Sequence, residues 1–270
     1  MIRMILFTMA FLMSMYMYPQ KKIATDFKYK ITYDLTYSLD STNLDTKKSE
    51  DMILFLGDGI SSYSSKAKLI GNKVVVKGNT AHTSPASLTD FDYIIIKNFK
   101  QDYLSYTRQI VQDYFYFNQS LGLFDWTLHE ETKVIKDYKV QKATMSYSGR
   151  DYVAWFTHEI PISDGPYKFN GLPGLILEIS DTENHYNFTL KGVEKLHPKI
   201  PFKLNFKHYI KTSEEDLFEV LSRYKRDPFS YVKLPNVTVS PSPEAHQYYI
   251  KLFAEENARK NNHIEKKWFR

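Results

Sequence analysis

The residues best suited to chemistry in this chain of 270 residues are His158 and two nearby carboxylates. His158 and Glu159 end an apolar run, and Asp164 follows in the next loop. An imidazole and carboxylates can hold a first-row metal ion or form an acid–base pair of the kind a hydrolase uses. Neighbouring residues of a strand point to opposite faces, which argues against cooperation between His158 and Glu159. Polar residues at a strand edge are the more ordinary interpretation, so we predict no catalytic residue, no metal ligand and no cofactor.

Other chemical motifs are weaker. Residues 57–61, GDGIS, are similar to the nucleophile turn of some esterases but lack the Gly-x-Ser-x-Gly pattern, so a glycine turn explains them better. The sequence has no phosphate loop, dinucleotide fingerprint or zinc-protease histidine spacing. Arg150, beside Asp151, and Lys168, beside Phe169, could bind a carboxylate, although such residues more often frame a turn.

The most distinctive segment is residues 168–179, KFNGLPGLILEI. Pro173 has a fixed φ and Gly174 tolerates a positive φ, which predicts a type II turn over residues 172–175 with a strand leaving it. Leucines flank this turn, and burying two leucine side chains stabilises a protein by about 3–6 kcal/mol. We therefore expect the turn to fold inward against a sheet or a covering helix. The alternative is that its apolar surface lines a ligand pocket or docks a partner.

Short alternating runs, bounded by Gly, Pro, Asn and Asp, predict a chain rich in strands. Residues 27–37 alternate with all apolar side chains on one face, residues 109–117 resemble one strand, and a turn is expected at residues 130–132. A four-strand meander is predicted over residues 138–147, 152–158, 175–179 and 186–193.

Helix signals lie near the C-terminus. Ser213 precedes an acidic first turn, Asp227 and Pro228 end that helix, and Ser242 with Pro243 begins a second one. The tail from Asn257 onward is so polar that we expect it to fray or remain solvated. The elements together predict an α+β domain with a large, curved, half-barrel-like antiparallel sheet covered by a few helices.

Composition narrows the class of protein. Hydrophobic residues make up 43% of the chain and aromatic residues 16%, while the net charge of +5 comes from interspersed acids and bases. No basic arm is present, so no nucleic-acid partner is expected. The absence of cysteine excludes disulfides, thiolate metal sites and a cysteine nucleophile on this chain.

The N-terminus predicts export. Residues 4–17, MILFTMAFLMSMYM, form an apolar run after Arg3 that is shorter than the ~20 residues of a membrane-spanning helix and typical of a signal peptide. We predict a signal peptide at residues 1–20, a β-rich domain at 21–242, and a C-terminal helix with a polar tail at 243–270. The exported protein would lie in the periplasm, at the outer membrane or outside the cell, with no transmembrane segment after cleavage.

The segment around the turn resembles the GLPGLI family, a group of exported Bacteroidota proteins whose function is not established. The resemblance rests on the name motif Gly171, Leu172, Pro173, Gly174, Leu175 and Ile176, and on the supporting residues Gly149, Arg150, Trp155, Pro161, Asp164, Gly165, Pro166, Lys168 and Phe169. The segment is also similar to the half-barrel of periplasmic lipoprotein carriers.

The expected function is therefore a non-enzymatic binding or carrier protein of the bacterial envelope. Its apolar ligand or envelope partner would sit near the turn. Two alternatives remain: an accessory protein of an outer-membrane transport system of the TonB-dependent type, and a hydrolase using His158 and a nearby acid.

Overall fold

A computed structural model of the chain describes residues 22–70, 76–77, 80–81, 89–231 and 242–269. The predicted signal peptide lies outside the described residues. In the described part, the strands are β1 (Lys22–Tyr37), β2 (Lys48–Leu56), β3 (Ile60–Ser65), β4 (Val76–Lys77), β5 (Thr80–Ala81), β6 (Tyr93–Asn98), β7 (Tyr103–Ile110), β8 (Asp113–Ser120), β9 (Thr127–Ile135), β10 (Tyr138–Tyr147), β11 (Arg150–Thr157), β12 (Leu175–Asp181), β13 (Tyr186–Asn205) and β14 (Tyr209–Lys211). The α-helices there are α1 (Lys66–Ile70), α2 (Glu214–Arg226) and α3 (Pro243–Ala258).

One 12-stranded sheet dominates the molecule, in the order β14-β8-β7-β6-β3-β2-β1-β13-β12-β11-β10-β9. Its pairings are antiparallel except for the short β14, which runs parallel to β8. The order ends at β14 on one side and at β9 on the other, so the sheet has two edges. β4 and β5 form a separate small hairpin.

The expected α+β class is wrong, because the fold is dominated by its sheet. Strands account for 52% of the described structure and helices for 20%. Several strands, or parts of strands, are not predicted from the sequence. β3 reads ISSYSS, which has too few apolar residues to suggest a strand, yet all six of its residues are buried. β13 continues to Asn205, well past the predicted end at residue 193.

Two predicted boundaries also differ from the structure. Residues 109–117 are not one strand, since Val111 adopts a left-handed φ of +55° between β7 and β8. The turn expected at residues 130–132 lies within β9, whose Glu130 and Glu131 are exposed at the edge of the sheet. The predicted four-strand meander is present as β10 to β13, paired in sequence.

The main hydrophobic core lies on one face of the sheet. Alternate residues of β1, from Ile31 to Tyr37, belong to it, and so do Met52 and Leu54 of β2. Phe27 departs from the predicted face: it is buried instead against Phe55 and Phe202, beside an irregularity in the β1–β13 pairing. The period-two pattern thus holds only while the register is regular.

The main face is covered by the connection between β11 and β12, by α2 and by the C-terminal tail. Ser213 caps α2 and Ser242 caps α3 through hydrogen bonds to backbone N–H groups, as predicted. α2 buries Leu217 and Leu221 on the sheet. The described residues contain no helix whose length and apolar character would suit a membrane span.

The C-terminal tail contradicts the prediction that it is solvated. Asn262 and Glu265 are only 3% and 2% exposed. The Asn262 side chain donates to the Ser38 carbonyl at 2.7 Å, and the Asn262 backbone carbonyl accepts from the Tyr186 hydroxyl at 2.5 Å. The polar tail therefore supplies partners for polar groups inside the protein.

Candidate functional site

The apolar turn at residues 171–176 lies inside the protein. Leu172 is 1% exposed, and Leu175 and Ile176 are fully buried in the main core. Gly171 and Pro173 remain at the surface. The expected inward folding of the turn is confirmed, and its leucines contact the protein's own core.

The geometry of the turn differs from the predicted type II form. The Gly174 N–H donates to the Leu172 carbonyl at 2.8 Å, which closes a three-residue turn around Pro173. The Leu175 N–H donates instead to the Ile160 carbonyl at 3.0 Å. Gly174 has a φ of +159°, which is nearly extended, so a positive φ is not the reason for glycine here.

Close packing explains Gly174. A Cβ atom at this position would lie 2.0 Å from the backbone oxygen of Thr157, at the end of β11. Gly165 is similarly confined, because its Cβ would lie 2.9 Å from the side chain of Ile176. Both glycines belong to the connection between β11 and β12, residues 158–174, which we call the segment. They allow its backbone to approach the sheet and its own turn closely.

A buried ion pair fixes the segment to the sheet. Lys97 of β6 and Asp164 are both completely buried, and Lys97 Nζ lies 2.5 Å from Asp164 Oδ1. Lys97 Nζ also donates to the backbone oxygens of Gly165 and Phe169, at 2.8 and 3.0 Å. Burial lowers the pKa of Lys97, while Asp164 acts in the opposite direction. Three acceptors match the three protons of an ammonium group.

Lys168 makes a second buried connection. Its Nζ lies 2.6 Å from Glu265 of the tail and 3.2 Å from Glu214 in the first turn of α2. The Tyr167 hydroxyl also donates to Glu265, at 2.5 Å. Burial raises the pKa of Glu265, but the charge of Lys168 and these hydrogen bonds outweigh it, so the pKa is lowered. Lys168 therefore does bind carboxylates, and both belong to this chain.

Arg150 fastens the tail to the turn between β10 and β11. It is buried and donates to Asn262 Oδ1 at 2.5 Å and to the His263 carbonyl at 2.8 Å. Its Nη1 also lies 2.6 Å from Asp181 Oδ2. Arg150 was expected to frame a turn, and it also connects that turn to the C-terminal tail and to the end of β12.

The carboxylates around Arg150 form a group that has the spacing of a metal site. Asp181, Glu183 and His185 each offer a ligand atom, and these atoms lie within 4.8 Å of one another. Arg150 already occupies this group, since Nη1 is 3.2 Å from His185 Nδ1. Lys266 also contacts Glu183 at 2.8 Å. Two cations therefore balance the carboxylates, and a metal ion would have to displace Arg150.

The remaining residues of the motif lie around this core. Gly149 occupies the β10–β11 turn with a φ of +83°. Half-buried Trp155 carries Lys133 Nζ over its ring at 4.3 Å. Pro166 and Phe169 are buried and joined by a backbone hydrogen bond of 3.1 Å, whereas Pro161 is exposed.

The three residues considered for hydrolysis do not converge. His158 is exposed, and its Nε2 lies 3.2 Å from the side chain of Gln141. Glu159 is exposed and accepts from the Lys139 N–H at 2.8 Å. Asp164 is sealed in its ion pair with Lys97. Residues 57–61 provide the tight connection between β2 and β3, closed by a Gly57 N–H to Ile60 carbonyl hydrogen bond of 2.8 Å.

The best candidate for a binding site is a cavity of about 700 Å³ between the main face of the sheet and the helical cover. We call it the sheet–helix cavity. It lies within the ~300–1,000 Å³ range of ligand pockets. Its aromatic wall comes from β6, β7, the segment and α2, and consists of Tyr93, Tyr106, Tyr167, Phe218 and Tyr224.

Positive charge gathers at one side of the cavity. Arg108 of β7, Lys225 of α2 and Lys260 of the tail all line it. Burial, with the charges of Arg108 and Lys260, lowers the pKa of Lys225 to about 8. Burial, followed by the charges of Lys225, Arg108 and Arg150, lowers the pKa of His263 to about 3. A further positive charge is therefore unfavourable here.

Tyr93 and Arg108 face the cavity together. They are directly opposite each other in the β6–β7 register, which places their side chains on the same face of the sheet. Tyr93 is 4% exposed, and its hydroxyl has no hydrogen-bond partner in the described part of the chain. Burial raises the pKa of Tyr93 well above its usual range.

Sequence analysis missed the most important polar groups. Lys97 could have been found, because it shares the parity of Tyr93 and Ile95 in a run of isoleucines and so must face the core. Arg108 could not, since residues 109–117 were interpreted as one strand beginning after it. Asn262 and Glu265 stand in a polar stretch that carries no signal of burial.

The fold and these contacts define a protein with a single large sheet, one face of which is partly filled by its own inserted segment and partly hollow. Residues 147–178, which contain that segment, match a family described as "Protein of unknown function (Porph_ging)". No curated protein sequence matches the chain.

Two solved structures share the fold. Crystal structures of PNGF-II in space groups P21 and C2 each superpose with a TM-score of 0.53 at 14% sequence identity. Each covers 74% of this chain, which corresponds to 34% and 33% of the PNGF-II chains, so this chain spans about a third of their length. At this identity the likeness concerns the fold alone.

Proposed function

We propose that this is an exported, GLPGLI-type binding or carrier protein of the bacterial envelope, whose ligand enters the sheet–helix cavity. The observation that best supports this proposal is the cavity itself, which has a volume of about 700 Å³ and an aromatic wall. The proposal moves the binding site away from the turn, where Leu172, Leu175 and Ile176 are already enclosed by the core. The apolar N-terminal run supports export.

The test uses N-phenyl-1-naphthylamine, a neutral apolar dye that fluoresces when it leaves water. We expect one dye to bind per folded protein. Ala67 lines the cavity, so Ala67→Trp would place an indole in it and remove binding. Ala254 is exposed on α3, and Ala254→Trp is the matched control that retains binding. A folded wild-type protein that takes up no dye, or an Ala67→Trp variant that binds normally, would contradict the proposal.

A second candidate function is the accessory protein that docks an outer-membrane transporter. The observation that favours it is the edge strand β9, where Val134 is 72% exposed and Leu128 50% exposed. Unpaired edges accept strands of other chains. A pull-down with a β-barrel receptor, lost in Val134→Lys and retained in Val193→Lys, would support this function; recovery of monomer alone would argue against it.

A further inference from the structure

Each acid of the sheet–helix cavity is paired with a lysine. Asp92 pairs with Lys68, Asp90 with Lys48 at 3.1 Å, and Glu256 with Lys260 at 2.8 Å. Glu265 belongs to Lys168, as described above. Lys260 also lies 3.3 Å from Asp90, so each of these acids has a lysine partner and none needs Arg108.

Arg108 is different. Among the described residues, no carboxylate lies within the 4.0 Å of an ion pair with its guanidinium group. It lies near Tyr106, two positions before it on the same face, where burial raises the pKa of the tyrosine hydroxyl and the charge of Arg108 opposes that rise. A guanidinium group is always charged and offers five donors, so a tyrosine oxygen leaves most of them available.

The hydroxyl of Tyr93 is a second, independent sign that the cavity holds a ligand. Buried hydroxyl groups are nearly always hydrogen-bonded in folded proteins, yet this one is not within the described residues. It faces the same cavity as Arg108 and stands opposite it across the β6–β7 pair. A hydroxyl and a guanidinium group side by side form a donor pair for an anionic oxygen.

Resting on the proposed function, we propose that the cavity binds an amphipathic anion. Its carboxylate, sulfonate or phosphate head accepts hydrogen bonds from Arg108 and the Tyr93 hydroxyl. Its apolar body lies against the aromatic side chains of Tyr167, Phe218 and Tyr224. Lys225, on the α2 side of the cavity, adds favourable charge.

The test compares two dyes that differ by one group. N-phenyl-1-naphthylamine is neutral, and 1-anilinonaphthalene-8-sulfonate is the same molecule with a sulfonate. In wild-type protein we expect the sulfonate to bind about tenfold more tightly, equivalent to about 1.4 kcal/mol. Failure of the neutral dye to bind would refute the proposed function. Equal binding of both would leave the proposed function standing and overturn the amphipathic-anion proposal.

Variants locate the head group. Arg108→Gln should weaken sulfonate binding about tenfold and leave the neutral dye within about twofold. Arg226 is exposed at the end of α2, so Arg226→Gln is the matched control that changes neither dye. Circular dichroism in the aromatic region verifies folding. If Arg108→Gln does not fold, Arg108→Lys and Tyr93→Phe provide the same comparison. An unchanged preference for the sulfonate in the folded variants would overturn the assignment of the head group.

Competition separates a natural amphipathic ligand from a simple anion. Dodecanoate and acetate share a carboxylate, but only dodecanoate has an apolar chain. We expect dodecanoate to displace the sulfonate dye at concentrations at which acetate and inorganic phosphate do not. Displacement by acetate or inorganic phosphate at the same concentration would mean that the head alone is bound, and the proposal would be wrong.

Discussion

Lys97 and Tyr93 lie on the same face of β6, about 13 Å apart along the strand, but their surroundings differ in kind. At Lys97 the inserted segment fills the space, and the ammonium group has three partners. At Tyr93 the segment contributes the ring of Tyr167, 5.7 Å away between ring centroids, α2 forms another wall, and the hydroxyl faces a cavity. We call these the filled region and the hollow region.

The difference separates a region that stabilises the fold from the region that we propose binds a ligand. In the filled region, the buried charges of Asp164 and Lys168 are each paired with an opposite charge, and Asp164 Oδ2 is the atom left without a hydrogen bond within the described residues. In the hollow region, polar groups remain that the described protein does not satisfy. Unsatisfied polar groups occur in proteins mainly at functional sites. We therefore interpret the segment as a structural support and the sheet–helix cavity as the proposed binding site.

The largest effect is expected from breaking the ion pair of the filled region. Lys97→Met leaves Asp164 as an uncompensated charge in the interior and should lower the free energy of unfolding by about 3–5 kcal/mol. Lys100, between β6 and β7, pairs with Asp58, between β2 and β3, and both side chains are largely exposed. Lys100→Met should cost less than about 1 kcal/mol. Urea denaturation measures both; similar losses would mean that the buried pair does not hold the segment.

A slightly smaller effect is expected at the turn itself. Gly174→Ala forces a Cβ against the Thr157 carbonyl and should destabilise the protein by about 3 kcal/mol, the upper end of the cost of overpacking. Gly192 lies in β13, where a Cβ would meet no atom within 4 Å. Gly192→Ala should change stability by less than about 1 kcal/mol. A neutral Gly174→Ala would show that the segment is not packed tightly against β11.

Gly174 and Gly192 also illustrate how much of the structure can be predicted from the sequence. Alternating apolar residues predicted the meander, and capping residues predicted both long helices, because local pattern determines these elements. The leucines predicted an inward turn, but the identity of the group packed against Gly174 depends on Thr157, which only the tertiary fold brings there.

Polar sites were harder to predict for the same reason. Lys97, Glu265 and Arg108 become partners or donors only after remote strands and the tail assemble. Burial of Glu265 cannot be inferred from its polar neighbours, since its stabilising cation, Lys168, is nearly one hundred residues away in the chain. The missed site residues therefore reflect long-range electrostatics, which periodicity does not encode.

An intermediate effect on the free energy of unfolding is expected when the pH is lowered. It arises from His263, which lines the cavity of the hollow region. The pKa of His263 is lowered from 6.5 to about 3 by burial and by the charges of Lys225 and Arg108. Between these values the unfolded state binds a proton that the folded state does not, so stability is present above pH 6.5 and is lost as the pH falls. The loss approaches 1.4 kcal/mol per pH unit at most.

Urea denaturation at pH 6.5 and pH 5 isolates this contribution, because the carboxylates with lowered pKa titrate below pH 4.5 in the unfolded chain. His263→Gln should remove most of the slope between the two pH values. His158→Gln, at an exposed histidine, should retain it. An equal slope in all three proteins would contradict a half-buried His263 that is neutral in the folded protein.

The smallest effect on stability is expected from removing a tyrosine hydroxyl in the hollow region. The same substitution in the filled region gives a direct comparison. The Tyr33 hydroxyl donates to the buried Ile176 carbonyl at 2.7 Å, so Tyr33→Phe should cost about 1–3 kcal/mol by leaving that oxygen unsatisfied. The Tyr93 hydroxyl has no such partner in the described structure, so Tyr93→Phe should change stability by less than about 0.5 kcal/mol. If Tyr93→Phe proved as costly as Tyr33→Phe, the hydroxyl would already serve the fold. A neutral change in stability combined with weaker binding of the sulfonate dye would instead mean that this hydroxyl is buried for its ligand.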